Sequence, residues 1–210
     1  MRVLVVTETV PYPLDSGGRI KTYHTLEILT RAHEVRLHAF IRDEAQRAHR
    51  TPLEALGVPT TLHLVPRSMA REAWFAARSL LGAPYSVGRH FDTGVMRALE
   101  SAVAQWAPDL VYCDHLSMAE YARRLPVPFV YDAHNVEWQR VQSLTRARKG
   151  PTGHLLRRQV RQVAVYEARV SNLVCGVWSV APEEASWFKA SGAPSVLLAP
   201  NGVTVVPGES

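Results

Sequence analysis

Apolar and polar positions alternate along this chain in two textures. The opening run, Arg2 to Thr7 (RVLVVT), is short, β-branched and continuously apolar. Such a run suits a central strand of a parallel sheet, because a strand covered on both faces has no polar side to show. Runs of the same kind recur at His33 to Phe40, Thr61 to Val65, Leu110 to Cys113, Pro128 to Tyr131, Leu173 to Trp178 and Ser195 to Leu198. Segments of helical texture separate most of them. Strands alternating with helices predict an α/β fold, a Rossmann-like, doubly wound and mostly parallel sheet.

The helical segments carry their own punctuation. Arg19 to Thr30 sets Ile20, Tyr23, Leu26 and Leu29 along a drifting apolar face. Ser68 to Leu81 starts on a capping serine and holds a Trp74/Phe75 pair in its middle. Asp92 to Trp106 has an acidic start, with Pro108 as its stop. His154 to Asn172 is long and basic, with Leu155, Val163, Tyr166 and Val170 available for packing. Pro182 opens a helix running to Ala190, a position where proline is pre-organised. The run from Lys149 to Gly153 (KGPTG) reads as a surface loop between two helices, and Pro207 to Ser210 as the start of a linker.

Composition narrows the class. A chain of 210 residues is enough for one sizeable α/β domain and too short for two ordinary ones. No apolar run approaches the roughly 18 residues of a membrane helix. Val3 to Val6 is too short for the apolar part of a secretory signal, and Glu8 follows at once, so a cytoplasmic protein is expected. Cys113 and Cys175 each sit in an apolar, strand-like run outside any CxxC pair; both read as reduced core residues, without zinc or redox roles. The net charge of +5 is concentrated. Between Arg140 and Arg169 lie Arg146, Arg148, Lys149, Arg157, Arg158 and Arg161 against one acid, Glu167. Such a segment can rest on anionic lipid, hold anionic substrates, or form a solvated helix face. Nothing in the pattern points to nucleic acid.

Three segments can carry chemistry. After the first strand, a dinucleotide-binding dehydrogenase would place a tight GxGxxG turn. Here a long loop with Pro11 and Pro13 leads instead to Asp15-Ser16-Gly17-Gly18 and then Arg19 at a helix start. Adjacent glycines at a helix N-terminus let backbone amides approach an oxyanion, and the helix dipole favours negative charge there. The same glycines would also serve as a simple turn and cap. The second segment is Tyr131-Asp132-Ala133-His134-Asn135-Val136-Glu137, directly after a strand. Ligands of open α/β sheets bind beyond the carboxyl ends of strands, so His134 is placed to hydrogen-bond a sugar hydroxyl or a developing charge, with Asp132 orienting it. Asn135 and Glu137 add polar groups at the same point. The spacing matches no metal motif such as HExxH. The third segment is Cys113-Asp114-His115, where Asp114 either lines the same cleft or caps a helix over Leu116 to Arg124. The histidines at 24, 33, 38, 49, 63, 90 and 154 have no evident partners and read as structural.

Taken in order, these segments resemble the N-terminal domain of family-4 glycosyltransferases, the large retaining group with the two-domain GT-B fold, over essentially all 210 residues. PYPLDSGGRIKTYHTLEIL looks like the family's glycine-rich entry loop and first helix. DAHNVE is similar to the segment bearing its active-site histidine. LVCGVWSVAPEEASWF followed by VLLAPNGV looks like its ending, although Ser179-Val180-Ala181-Pro182 departs from the usual small polar start of that element. The DxHNVE form looks most like bacterial transferases of exopolysaccharide and cell-envelope assembly.

The resemblance implies residues 1–200 as an acceptor-side domain, and 201–210 as the start of the interdomain linker, with Asn201-Gly202 at the crossing. It implies His134 near the reacting sugar carbon. It places Gly17 and Gly18 against the donor diphosphate or the acceptor, and Arg19, Asp114, Asp132, Asn135 and Glu137 are expected around the same ligands from their positions at the helix start and the strand ends. The donor would be a nucleotide-diphosphate sugar, the acceptor a glycan or a lipid-linked molecule. No metal or resident cofactor is implied, and a peripheral place at the inner membrane face is compatible. The donor-binding C-terminal domain would lie outside this chain. The rivals are a non-catalytic Rossmann-like module that binds a ligand or a partner, and a GT-B nucleotide-sugar epimerase.

Overall fold

The computed structural model describes residues 1–146 and 150–200. Among these, seven strands form one sheet: β1 (Arg2–Thr7), β2 (Glu34–Ile41), β3 (Thr60–Leu64), β4 (Leu110–Asp114), β5 (Phe129–Ala133), β6 (Gly176–Ser179) and β7 (Val196–Leu198). Their order is β3-β2-β1-β4-β5-β6-β7, and every neighbouring pair is parallel, so the sheet is wholly rather than mostly parallel. The helices are α1 (Gly17–Thr30), α2 (Arg50–Glu54), α3 (Met69–Ser79), α4 (Tyr85–Gly88), α5 (Thr93–Trp106), α6 (Ala119–Ala122), α7 (Glu137–Thr145), α8 (Gly150–Leu173) and α9 (Pro182–Ala190). A 3-10 segment, Glu44–His49, precedes α2.

The continuous apolar strands are explained by two cores, one on each face of the sheet. Alternate residues of a strand point to opposite sides. On β1, Val3 and Val5 therefore join Leu26 of α1, Leu53 of α2, and Leu37. Leu4 and Val6 join Leu99 of α5, Val163 and Val170 of α8, and Phe188 of α9. Burying each such side chain contributes about 1.5–3 kcal/mol relative to exposure. Caps fix the entries of two helices. Asp92 accepts hydrogen bonds from the Gly94 and Val95 amides at 2.8 and 3.1 Å, and Ser68 accepts one from Arg71 at 3.2 Å.

Three expectations need correction. Cys113 is buried in β4, but Cys175 is exposed: β6 begins only at Gly176, and Cys175 lies in the connector after α8. Of the expected loop from Lys149 to Gly153, Gly150 to Gly153 belong to α8, and the positive φ of 71° at Gly150 suits glycine at that entry; Lys149 lies outside the described residues. No helix runs from Leu116 to Arg124: only Ala119–Ala122 is helical, with Met118 rather than Asp114 as its N-cap. The linker residues 201–210, including Asn201-Gly202, lie outside the described residues.

Candidate functional site at the crossover of the sheet

The strand order reverses between β1 and β4, where the connections leave the two strands in opposite directions. The crevice at their carboxyl ends is the place where open α/β sheets bind ligands. Register brings Thr7 beside Asp114, and Asp114 beside Asp132. The segments around Gly18, Asp114 and His134, scattered along the sequence, thereby meet at one edge.

His134 is half-buried just beyond β5. Its Nε2 and Asp114 Oδ1 are joined by a 2.6 Å hydrogen bond, which orients the ring. The Thr22 hydroxyl donates to Asp114 Oδ2 at 3.2 Å. Asp132, expected to orient His134, stands 3.7 Å from its Nε2 and is committed elsewhere. The Lys21 ammonium and the Tyr112 hydroxyl both donate to its carboxylate, which is fully buried. Asp132 thus ties α1 to the sheet from beneath, and Asp114 is the residue that holds the histidine.

His115 completes the centre. Its ring stacks on His134 at 4.0 Å and 22°. Its φ of 77° is in the left-handed region, which a non-glycine residue occupies only when its surroundings impose it, and such strain gathers at functional sites. Its Nδ1 is buried 3.2 Å from Asp114 without a hydrogen-bond alignment. Burial opposes the charged forms of both groups, but their mutual attraction outweighs it. Asp114 is held far below the usual carboxylate range by the His115 and His134 charges, and His115 is pushed up to about 10, chiefly by Asp114 and Glu8.

Two cavities meet at this stack. One, of about 440 Å³, is lined by Asp15, Ser16, Gly18, Arg19, Thr22 and His115 among others. It opens on the start of α1, where Ser16 makes no side-chain cap and the first turn carries no acid. The amide donors there are available to an anion. Neither Gly17 nor Gly18 has a positive φ. A Cβ on Gly18 would sit 3.6 Å from His134 Nδ1, so the backbone of α1 passes close to the ring nitrogen that Asp114 leaves free. Gly17 has open space around it. Arg19 is paired with Asp15 at 2.8 Å on the rim.

The second cavity, of about 280 Å³, is polar and lined by Glu8, His90, His115, His134, Asn135 and Glu137 among others. Glu8 accepts a 2.6 Å bond from Ser117 and lies 3.7 Å from His90. Burial opposes the Glu8 charge, yet His115 and His90 hold its carboxyl below the ordinary value. Burial pushes His90 down to about 4. Glu137 is engaged by Arg140 at 2.6 Å, and Asn135 is exposed.

All eight residues singled out from the sequence lie at this edge of the sheet, with Asp132 facing inward rather than into a cavity. Sequence reasoning missed Lys21, Thr22 and Glu8, read His90 as structural, and quoted His115 beside Asp114 without giving it a role. Nothing local marked Lys21 and Thr22: they are ordinary polar residues of a helix, and only the fold buries them with Leu26. Asp114, His115 and His134 also offer one ligand atom each within 4.8 Å of one another, the compactness of a metal triad. However, the Asp114–His134 hydrogen bond already joins two of the three, and Thr22 holds the remaining Asp114 oxygen.

Neither a family model nor a curated protein sequence matches the chain. Solved structures do. UDP-GlcNAc 2-epimerase from Neisseria meningitidis, bound to UDP-GlcNAc, is similar with a TM-score of 0.53 at 11% identity, over 96% of this chain and 47% of that one. UGT71G1 from Medicago truncatula, complexed with UDP-glucose, gives 0.53 at 10% identity over 94% and 51%. A UDP-glucose: anthocyanidin 3-O-glucosyltransferase in complex with UDP gives 0.50 at 9% identity over 98% and 55%. At these identities the likeness defines the fold: a Rossmann-like α/β domain matching one half of GT-B proteins. The chain spans about half the length of the structures it matches. Epimerase and transferase neighbours are equally distant, so the likeness does not single out family-4 transferases.

Proposed function

We propose that this chain is the N-terminal, acceptor-side half of a retaining, metal-independent sugar transferase of the family-4 type, residues 1–200 forming that domain. It would move a glycosyl group from a nucleotide-diphosphate sugar to a glycan or lipid-linked acceptor. The observation that carries the reading is His134, oriented by Asp114 at 2.6 Å, with its other nitrogen turned to the uncapped, glycine-bearing start of α1. An anion-accepting helix end and a fixed hydrogen-bonding group, side by side at the crossover, suit a sugar attached to a diphosphate.

In this arrangement the amides at Gly17 and Gly18 face the diphosphate, and His134 fixes the sugar ring. The bond from the anomeric carbon to the diphosphate oxygen breaks, and the acceptor oxygen bonds that carbon on the same face. The acceptor proton passes to the departing phosphate. No residue has to supply a proton, so the Asp114–His134 pair acts by position and charge.

The full-length protein, incubated with nucleotide-diphosphate sugars and glycan or lipid-linked acceptors in the presence of EDTA, should form a glycoside with retained anomeric configuration. The second reading, an epimerase, is favoured by the equal likeness to the Neisseria enzyme. Inversion of the sugar at C2 without any acceptor, followed by NMR, would replace the transferase reading. Activity abolished by EDTA and restored by a divalent ion would instead assign Asp114, His115 and His134 to a metal.

A further inference from the structure

The basic segment seen in the sequence is divided by the fold. Arg140 turns to Glu137 at the crossover site. Four others, Arg157, Arg158, Arg161 and Arg169, lie exposed on α8 beside a separate groove of about 980 Å³ among α3, α4, α6 and α8. The groove has an apolar interior that includes Phe75, Pro84, Val87, Phe91 and Val165. Arg78 of α3, with Arg123 and Arg124 after α6, adds further cations.

Glu120 is the one acid among the lining residues. It is already taken by Arg123 at 2.7 Å, Arg124 at 2.5 Å and the Tyr166 hydroxyl at 2.7 Å. Among the described residues, no carboxylate lies within 4.0 Å of the four α8 arginines. Arg157, Arg161, Val165 and Arg169 follow one another at intervals of four, so they stack on one face of α8. Like charges stacked in this way repel, and among the described residues no carboxylate offsets them; Arg157 meets only His154 Nδ1 at 3.1 Å, and Arg158 donates to the Leu80 carbonyl at 2.8 Å.

The stripe runs about 18 Å, at 1.5 Å per residue. One small anion cannot meet its length, whereas a field of anions can. Its surroundings decide which field. Trp74 is 52% exposed, with the Arg78 guanidinium 4.7 Å over its ring. Leu81 is 88% exposed just beyond α3. Nucleic acid takes an aliphatic side chain only against a base methyl or between unstacked bases, whereas the headgroup boundary of a bilayer takes tryptophan and leucine side by side beneath its phosphates.

We propose that this face docks the protein on an anionic lipid bilayer, with lipid phosphates on the α8 arginine stripe and Trp74 and Leu81 entering the acyl boundary. Val87 of α4 lines both this groove and the polar cavity at His134, so docking would bring the crossover site close to the membrane surface. The proposal does not depend on the reaction assigned to that site.

The test is flotation of the full-length protein with vesicles of phosphatidylcholine, with or without phosphatidylglycerol. Binding is expected only with phosphatidylglycerol, fading as salt shortens the reach of surface charge to about 10 Å at 0.1 M. Arg157→Glu with Arg161→Glu and Arg169→Glu should lower partitioning roughly tenfold or more. Trp74→Ser with Leu81→Ser should weaken it while keeping its salt dependence. All five positions are exposed, so the melting temperature should hold. If the triple variant melts early, the same three positions changed to Gln give the same comparison. Equal flotation on neutral vesicles, no flotation at low salt, or wild-type binding by the arginine variants overturns the proposal. So does a preference for RNA or inorganic phosphate over vesicles.

Discussion

At the scale of single residues, the site rests on one division of labour between two aspartates. Both are buried at adjacent strand ends, and the sequence alone does not distinguish them. Asp132 is committed to Lys21 and Tyr112, and Asp114 to His134, His115 and Thr22. His134→Ala removes a group that faces the cavity, together with its bond to Asp114 and its stack on His115, while Asp114 keeps Thr22 and His115 beside it. Under the proposed transferase reading, it should lower turnover of the full-length protein about a hundredfold, the effect of losing a positioned hydrogen bond worth about 3 kcal/mol. The melting temperature should change little. Measuring both on one purified variant separates the roles. A variant that melts early and keeps its specific activity would make His134 a packing residue and misplace the site.

At the scale of elements, much of the fold was legible because strands and helices announce themselves locally. All seven strands were readable as apolar runs; for the inner strands the reason is that a doubly covered parallel strand leaves no polar face to confuse the pattern, while the edge strands β3 and β7 are apolar although largely uncovered. Helices α3, α5 and α9 carried local marks: Ser68, Asp92 and Pro182 at their starts. Helix α7 carried none. Its N-cap, Val136, offers no side-chain acceptor, and none of its residues is buried. Its cap comes from another helix. The Glu167 carboxylate, in the middle of α8, accepts from the Glu137 amide at 2.9 Å, the Trp138 amide at 3.2 Å and the Tyr131 hydroxyl at 3.1 Å. A cap supplied from 30 residues away leaves no trace in local spacing. The site was legible to the same degree: the glycine loop and DAHNVE could be read, whereas Glu8, Thr22 and His90 became neighbours only through the sheet.

Glu167 also gives α7 a testable dependence. Burial pushes its carboxyl up to about 8, against the opposing pull of the two amides and Tyr131. A folded-state value above the unfolded one means the native state holds the extra proton. The associated stability is fully present below about 4.5 and is lost as pH rises through about 8. Glu167→Ala should remove that part of the pH dependence. It also leaves two amides and a hydroxyl without their acceptor, at a cost of about 2–3 kcal/mol. Amide exchange should quicken first at Glu137 and Trp138. Unchanged exchange there would show that α7 is held by something other than this cap.

At the scale of the whole molecule, the two cores and the crossover site have different requirements. Each core is closed by helices of this chain: α1 and α2 on one face of the sheet, α5, α6, α8 and α9 on the other. The 210-residue chain should therefore fold by itself and melt cooperatively, with a stability on the order of 5–15 kcal/mol. Catalysis asks for more. The helix end at Gly17 and Gly18 can meet phosphate oxygens, but the chain spans only about half of the GT-B proteins it matches, and the proposed reaction needs a second domain to hold the nucleotide. A sugar diphosphate gripped at one end only is not fixed in line with the acceptor, and orientation accounts for about 7–11 kcal/mol of such a barrier. The isolated chain should show a sharp thermal transition and no detectable transfer from nucleotide sugars that the full-length protein uses. Both can be read on one preparation, by circular dichroism and by product formation. Transfer by the folded 210-residue chain alone would mean that the crossover site binds the whole donor, and that the division between an acceptor half and a donor half is wrong for this protein.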